Sequence, residues 1–179
     1  MNILTLSIIT QTKHRMRLRS KPRVILGLDP GLARVGYGVI SVTGNSPSCL
    51  TFGCIETSST HSLSQRLSEL YKKLSSLIAQ FSPHVASIEK LFFAKNTKTA
   101  FDVSHARGVL LLALAHAKIP IYECTPLQVK QAVVGYGRAE KQQIQKMVQL
   151  LLSLPTPPRS DDAADALAIA LCASNNQIQ

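Results

Sequence analysis

The amino-acid sequence predicts an α/β protein in which helices cover both faces of a five-stranded mixed sheet. Three strand-like runs joined by short turns open the chain, which is typical of antiparallel strands. After residue 61 the apolar period changes to three or four residues, and helix patterns then alternate with two further strand patterns. This order predicts three antiparallel strands followed by two parallel ones.

The first three strands are delimited by turn signals. "RVILGLDPG" over 23–31 is a buried strand that ends in a turn, and strand patterns follow over 35–42 and 48–58. The cluster Gly44-Asn45-Ser46-Pro47 predicts the turn between the second and third strands.

Helices and strands alternate in the rest of the chain. Leucines at helical spacing predict an amphipathic helix over 62–81, which Pro83 follows. Thr125 and Pro126 provide an N-cap and a first-turn proline for a helix that reaches Val134. The remaining predicted elements are strands over 84–93 and 119–126, helices over 100–117, 140–153 and 161–174, a basic glycine-containing loop over 135–141 and a proline-rich break over 154–160.

Charge separates the first residues from the rest. The 179-residue chain has a formal net charge of +10, and residues 1–23 contain six basic side chains and no acidic one. We expect residues 1–21 to be a basic N-terminal extension, either disordered or a start-site or processing segment, and 22–179 to form one domain. A basic protein favours a polyanionic partner such as nucleic acid.

Apolar runs and cysteines indicate the compartment. The longest apolar stretch, 109–117, is too short to span a bilayer, so no membrane partner is expected. The four cysteines form no C-x-x-C pair, and three of them lie in apolar runs. They are typical of small buried side chains in a reducing compartment, and we expect a cytoplasmic protein.

Four carboxylates occupy the places where one site could form. Asp29 ends the first predicted strand and Glu89 lies near the end of the fourth, while Asp162 and Asp165 share a face of the last helix. Each acid alone could be a turn or helix cap. Together they would repel one another unless cations neutralise them, and Mg²⁺ takes carboxylate ligands. Two such ions would suit phosphodiester chemistry.

Five stretches of this sequence resemble the RuvC family of crossover (Holliday) junction endodeoxyribonucleases, which has the ribonuclease H-like fold. The resemblance covers about residues 24–173, and the motifs occur in family order. They are "ILGLDPGLARVGYGVI", "IEKLFFAKN", "ARGVLLLA", "VKQAVVGYGRAEKQQIQKMV" and "DDAADALAIA".

The resemblance implies roles for individual residues. Asp29, Glu89, Asp162 and Asp165 match the four catalytic acids that bind two Mg²⁺ ions per active site, with Mn²⁺ able to substitute. Asp161 is an additional acid, and the D-A-A-D spacing favours Asp162. Lys130 and Lys141 match basic residues near the scissile strand, where they would offset charge on the phosphate.

The resemblance also implies DNA contacts. Phe92 matches the aromatic that stacks on bases of the opened junction. The basic and polar residues expected to contact DNA are Lys95, Asn96, Lys98, Lys130, Arg138 and Lys141.

The implied activity is the resolution of four-way DNA junctions by paired symmetric nicks, in recombination and repair. Hydrolysis would leave 5′-phosphate and 3′-hydroxyl ends. The implied partners are junction DNA, a second copy of the chain, and the branch-migration proteins RuvA and RuvB.

Without the resemblance, the residues alone leave three alternative functions to consider. A ribonuclease H-like nuclease acting on RNA or an RNA–DNA hybrid would have a similar acid cluster. A junction-binding protein without activity is disfavoured because all four acids are present. An actin-like or sugar-kinase ATPase would need a longer chain and a second phosphate loop.

Overall fold

The protein is described by a computed structural model that covers residues 21–90 and 97–175, without the side chains of 97–99. It contains the predicted order of strands and helices. The strands are β1 (Arg23–Asp29), β2 (Arg34–Thr43), β3 (Ser46–Glu56), β4 (Val85–Glu89) and β5 (Ile121–Cys124), and the helices are α1 (Leu63–Phe81), α2 (Thr97–His116), α3 (Pro126–Val134), α4 (Lys141–Leu151) and α5 (Asp161–Asn175).

The five strands form one mixed sheet in the order β3-β2-β1-β4-β5. β1 pairs with β2 and β2 with β3 in antiparallel fashion, whereas β4 is parallel to both β1 and β5. One core lies between the sheet and α3, α4 and α5, and a second lies between the sheet and α1 and α2. The predicted fold class is therefore confirmed.

The helix starts follow the predicted capping signals. The Ser62 side chain accepts from the backbone N–H of Gln65, and the Gln65 side chain accepts from that of Ser62. Thr125 and Gln128 form the same reciprocal pair at α3, where Pro126 is the first helical residue. These bonds satisfy backbone donors that have no partner inside the helix.

Some predicted boundaries differ from those observed. β3 begins at Ser46, and Thr43 pairs with Ser46, so the turn is shorter than the four residues predicted. Pro47 is tolerated because β3 is an edge strand. β4 ends at Glu89 instead of continuing to 93, and 91–93 lie outside the described residues. Within the described part of the chain, no helix is long and apolar enough to cross a membrane.

Helix α5 packs directly on the backbone of β1 and β2. A Cβ atom added to Gly27 would lie 2.1 Å from the Ala166 carbonyl oxygen, and one added to Gly36 would lie 2.0 Å from that of Asp162. Ala166 is fully buried. Because only glycine allows this approach, the first turn of α5 is held beside the C-terminal end of β1.

We expect Gly27→Ala to destabilise the protein by about 1–3 kcal/mol or more, because the new methyl group overlaps the backbone of α5. Urea unfolding followed by circular dichroism measures this loss. The matched control is Gly44→Asn in the β2–β3 turn, where a Cβ has nothing within 4 Å and φ is +62°, a conformation that asparagine tolerates. Equal stability of the Gly27 variant and the wild type would contradict the close packing.

Candidate active site

Three of the four predicted acids line one cavity of about 250 Å³. Asp29, Glu89 and Asp165 line it together with Lys130 and Lys141. The rest of the lining is apolar and consists of Pro126, Val129, Ile144 and Ile169. The cavity is thus a small pocket lined by acidic and basic residues on one part of its wall and by apolar residues on the rest.

Strand pairing and helix packing bring these acids together. β1 and β4 are parallel, and the residue before Asp29 pairs with the residue before Glu89. The two carboxylates therefore leave the same edge of the sheet. Asp165 lies near the start of α5, which the close contact of α5 with β1 and β2 places at the same edge.

Burial and mutual repulsion disfavour ionisation of these carboxyl groups. Burial raises the pKa of Asp29 to about 7, and the charges of Asp165, Glu89 and Asp162 add to this increase. Burial, followed by the charge of Asp165, raises the pKa of Glu89. Burial also raises the pKa of Asp165, although Lys141 opposes this change. A group of acids with such raised pKa values is typical of a functional site.

Lys141, the first residue of α4, lies within ion-pair distance of two acids of α5. Its Nζ lies 3.1 Å from Asp161 Oδ2 and 3.6 Å from Asp165 Oδ2. The bond to Asp161 is the main cause that raises the pKa of Lys141. Asp161 also accepts a hydrogen bond from Gln145 Nε2 at 2.6 Å, so Asp161 is oriented toward α4.

Asp162, the fourth predicted acid, lies outside the set of residues that line the cavity. Its Oδ2 is 3.5 Å from Arg34 Nη1, and Arg34 Nη2 is 2.9 Å from Glu56 Oε1. Asp162 is still close enough to Asp29 for its charge to contribute to the raised pKa of Asp29. It therefore belongs to the rim of the same site.

Two arginines that the sequence analysis does not assign to the site contact the acids or their backbone. Arg34 pairs with Asp162, and Arg107 Nε donates to the Glu89 carbonyl oxygen at 3.4 Å. Arg107 also forms an ion pair with Glu123. The position of Arg107 within the apolar pattern of α2 could have indicated such a contact, because a largely buried guanidinium needs a polar partner.

The predicted DNA contacts fall into three groups. Phe92, Lys95 and Asn96 lie outside the described residues. Lys98 belongs to α2, but its side chain is not described. Lys130 and Lys141 line the cavity, and Arg138 is exposed on the loop between α3 and α4.

The carboxylates surround the cavity without converging on one point. In residues 21–90 and 97–175, no group of three or more His, Cys, Asp or Glu side chains is arranged to hold a metal ion. The donor chemistry nevertheless fits a hard divalent cation, because all four acids supply oxygen ligands and three of them line one cavity. A cation there would also relieve the repulsion that raises the pKa of Asp29.

A mixed sheet of this order, with acids at the ends of its first and fourth strands and on its last helix, defines the ribonuclease H-like class. The sequence model of "Crossover junction endodeoxyribonuclease RuvC" matches residues 25–173. The chain therefore belongs to the RuvC family of crossover junction endodeoxyribonucleases, which are metal-dependent nucleases acting on DNA.

Known proteins support this assignment. A RuvC from Natranaerobius thermophilus is 54% identical over 151 residues, which are 84% of this chain and 94% of that protein. Thermus thermophilus RuvC in complex with a Holliday junction substrate has a TM-score of 0.80 and 34% identity, covering 84% of this chain and 92% of the other. The yeast mitochondrial Holliday junction resolvase, at 14% identity and a TM-score of 0.63, shares the fold; the match covers 85% of this chain and 78% of that one.

We expect Asp29→Asn to stabilise the metal-free protein. The native pKa of Asp29, about 7, exceeds its ordinary value of 3.8, so the native state holds a proton that the unfolded chain loses. The wild type therefore loses stability as the pH rises from about 4 to about 7. The gain from asparagine should grow over this range and then level off, reaching about 10 °C in Tm at pH 8.

Thermal unfolding in EDTA between pH 4 and pH 8 measures this difference. Asp102→Asn, which changes an exposed acid on α2, is the control and should show no such trend. A wild type whose Tm exceeds that of Asp29→Asn at pH 8 without metal would contradict the repulsion among the acids.

Proposed function

We propose that Asp29, Glu89, Asp162 and Asp165 bind two divalent cations and that the site hydrolyses phosphodiester bonds of a four-way DNA junction. Mg²⁺ is the proposed metal, with Mn²⁺ able to substitute. The observation that carries the proposal is the cavity in which three carboxylates with raised pKa values face two lysines.

The charges in the site explain why cations and then a phosphate would bind. Four ionised carboxylates near one cavity repel one another, and oxygen ligands are those that Mg²⁺ prefers. Bound cations would supply positive charge that activates water and stabilises the leaving 3′-oxygen. The carboxylates would hold them at the common edge of β1, β4 and α5, where a phosphodiester can approach.

The two lysines would act on the phosphate itself. Lys130 and Lys141 both line the cavity, and Lys141 is already held by Asp161 and Asp165. Their ammonium groups would stabilise the negative charge that accumulates on the phosphate during hydrolysis. The products would carry 5′-phosphate and 3′-hydroxyl ends suitable for ligation.

A four-way junction is proposed as the substrate because the chain belongs to this family, and a relative forms a complex with a Holliday junction. Phe92 is proposed to stack on bases of the opened junction. Contacts to the DNA backbone are assigned to Lys95, Asn96, Lys98 and Arg138. Symmetric nicks in recombination and repair would follow, with RuvA and RuvB as proposed partners in the cytoplasm.

Two copies of the chain would be needed for paired nicks, and α2 offers a surface for this pairing. Phe101, Gly108 and Leu112 are exposed and follow one another at spacings of seven and four residues, which places them on one face of the helix. Phe101 is 68% exposed and Leu112 is 49% exposed. A helix face with large exposed apolar side chains favours self-association, so we propose a homodimer through α2.

We expect Leu112→Glu to shift the protein from dimer to monomer, because a charge would be placed on the exposed apolar face of α2. Size-exclusion chromatography with light scattering measures the mass. Leu150→Glu, at an exposed leucine of α4, is the matched control and should leave the mass unchanged. A dimeric Leu112 variant would contradict the proposed interface.

We expect Asp162→Asn to reduce Mg²⁺-dependent nicking of a synthetic four-way junction at least about 100-fold while binding is kept or tightened. Asparagine has nearly the same shape but removes the charge that a cation needs. Glu69→Gln is the control, because it removes a carboxylate of α1 that pairs with Lys73 outside the cavity, and it should nick the junction at the wild-type rate. EDTA should abolish nicking by the wild type.

Two outcomes would overturn these assignments. Nicking at wild-type rates by the Asp162 variant would remove Asp162 from the site. Cleavage of an RNA–DNA hybrid with sparing of the junction would instead favour the alternative ribonuclease H-like activity.

A further inference from the structure

The loop between α3 and α4 presents an exposed aromatic side chain in an anchored position. Tyr136 is 48% exposed, and its hydroxyl donates to Gln143 Oε1 at 3.0 Å. The same oxygen accepts from the backbone N–H of Glu140 at 3.0 Å. The phenol is therefore tethered to the first turn of α4 although much of its ring faces solvent.

This loop lies next to the cavity of the candidate active site. It connects the two helices that supply Lys130 and Lys141, both of which line the cavity. A Cβ on Gly137 would lie 2.2 Å from Leu127 Cδ1, so the loop rests on the first turn of α3. The residue before Leu127, Pro126, is part of the cavity wall.

The surroundings of Tyr136 match a nucleotide better than an apolar partner. Arg138 is exposed two residues further along the loop, and Lys130 and Lys141 lie on the helices that the loop joins, whereas Glu140 is the one acidic residue of the loop. Leu127, which is 54% exposed, adds an apolar surface beside the loop. An exposed ring together with nearby cations is the combination by which proteins bind single-stranded nucleic acid.

We infer that Tyr136 stacks on an unpaired base of the DNA strand that enters or leaves the cavity, and that Arg138 contacts a neighbouring phosphate. This assignment rests on the proposed function, because it needs junction DNA in the site. Bases in the duplex arms would not stack on the Tyr136 ring, because they are already stacked on one another.

The sequence makes a direct fluorescence test possible, because it contains no tryptophan. Tyr136→Trp introduces a single reporter at the proposed contact. We expect a four-way junction in EDTA, where binding occurs without cleavage, to quench its emission, and a linear duplex to quench it much less. Leu150→Trp, at a 61% exposed position near the other end of α4, is the matched control and should be unaffected by the junction.

Two further variants separate the ring from its hydroxyl. Tyr136→Phe keeps the ring and should bind the junction within about twofold of the wild type. Tyr136→Leu should bind at least about fivefold more weakly, because stacking on one base is lost. Fluorescence anisotropy with a labelled junction measures both affinities, and the exposed position means that neither change should lower the Tm.

The outcomes distinguish this inference from the proposed function. The Tyr136 assignment would be overturned if Tyr136→Leu bound the junction as tightly as the wild type, or if the emission of Tyr136→Trp did not respond to saturating junction. Cleavage of the junction by the wild type would still uphold the proposed function in that case. Equal quenching by duplex and junction would overturn the unpaired base as the ligand. A wild type that neither binds nor cleaves junctions would overturn both.

Discussion

The contact between α5 and the bare backbone of β1 and β2 determines the geometry of the candidate site. Gly27 and Gly36 allow α5 to approach to a distance that any side chain would prevent. This approach places Asp165 at the same cavity as Asp29, although the two residues are more than 130 positions apart in the chain. The parallel pairing of β1 and β4 then adds Glu89. Two backbone constraints thus bring distant acids to one edge of the sheet.

The acids so assembled are electrostatically unfavourable in the metal-free protein, and the neighbouring helices compensate for part of this cost. Lys141 lies within ion-pair distance of Asp161 and Asp165, while Arg34 pairs with Asp162. Asp29 has no such direct partner among its described contacts, and its pKa is raised to about 7. A bound cation would therefore relieve the repulsion among the carboxylates, so the same charges that would bind a cation lower the stability of the metal-free protein.

Local patterns in the sequence were sufficient for the fold and for the candidate acids. The change of apolar period after β3 and the short turns before it predict three antiparallel strands followed by two parallel ones, and the apolar run that ends in Asp29 predicts the place of this acid at the end of β1. Two ion pairs could not be predicted from the sequence, that of Asp162 with Arg34 and that of Lys141 with Asp161. Tertiary packing decides which exposed charges become neighbours, and local sequence patterns do not contain this information. The end of β4 at Glu89 was also missed, since the apolar pattern continues through Leu91 and Phe93 without a breaking residue.

The sheet separates two surfaces with different chemistry. The cavity and its lysines lie on the side of the sheet that α3, α4 and α5 cover. The exposed apolar face of α2 lies on the other side, where α1 and α2 cover the sheet. Five strands of hydrogen-bonded backbone lie between them. Arg107 of α2 nevertheless donates to the Glu89 carbonyl oxygen, so the two layers meet at the end of β4. The outer face of α2 can therefore vary in evolution without displacing the acids only where this contact is kept.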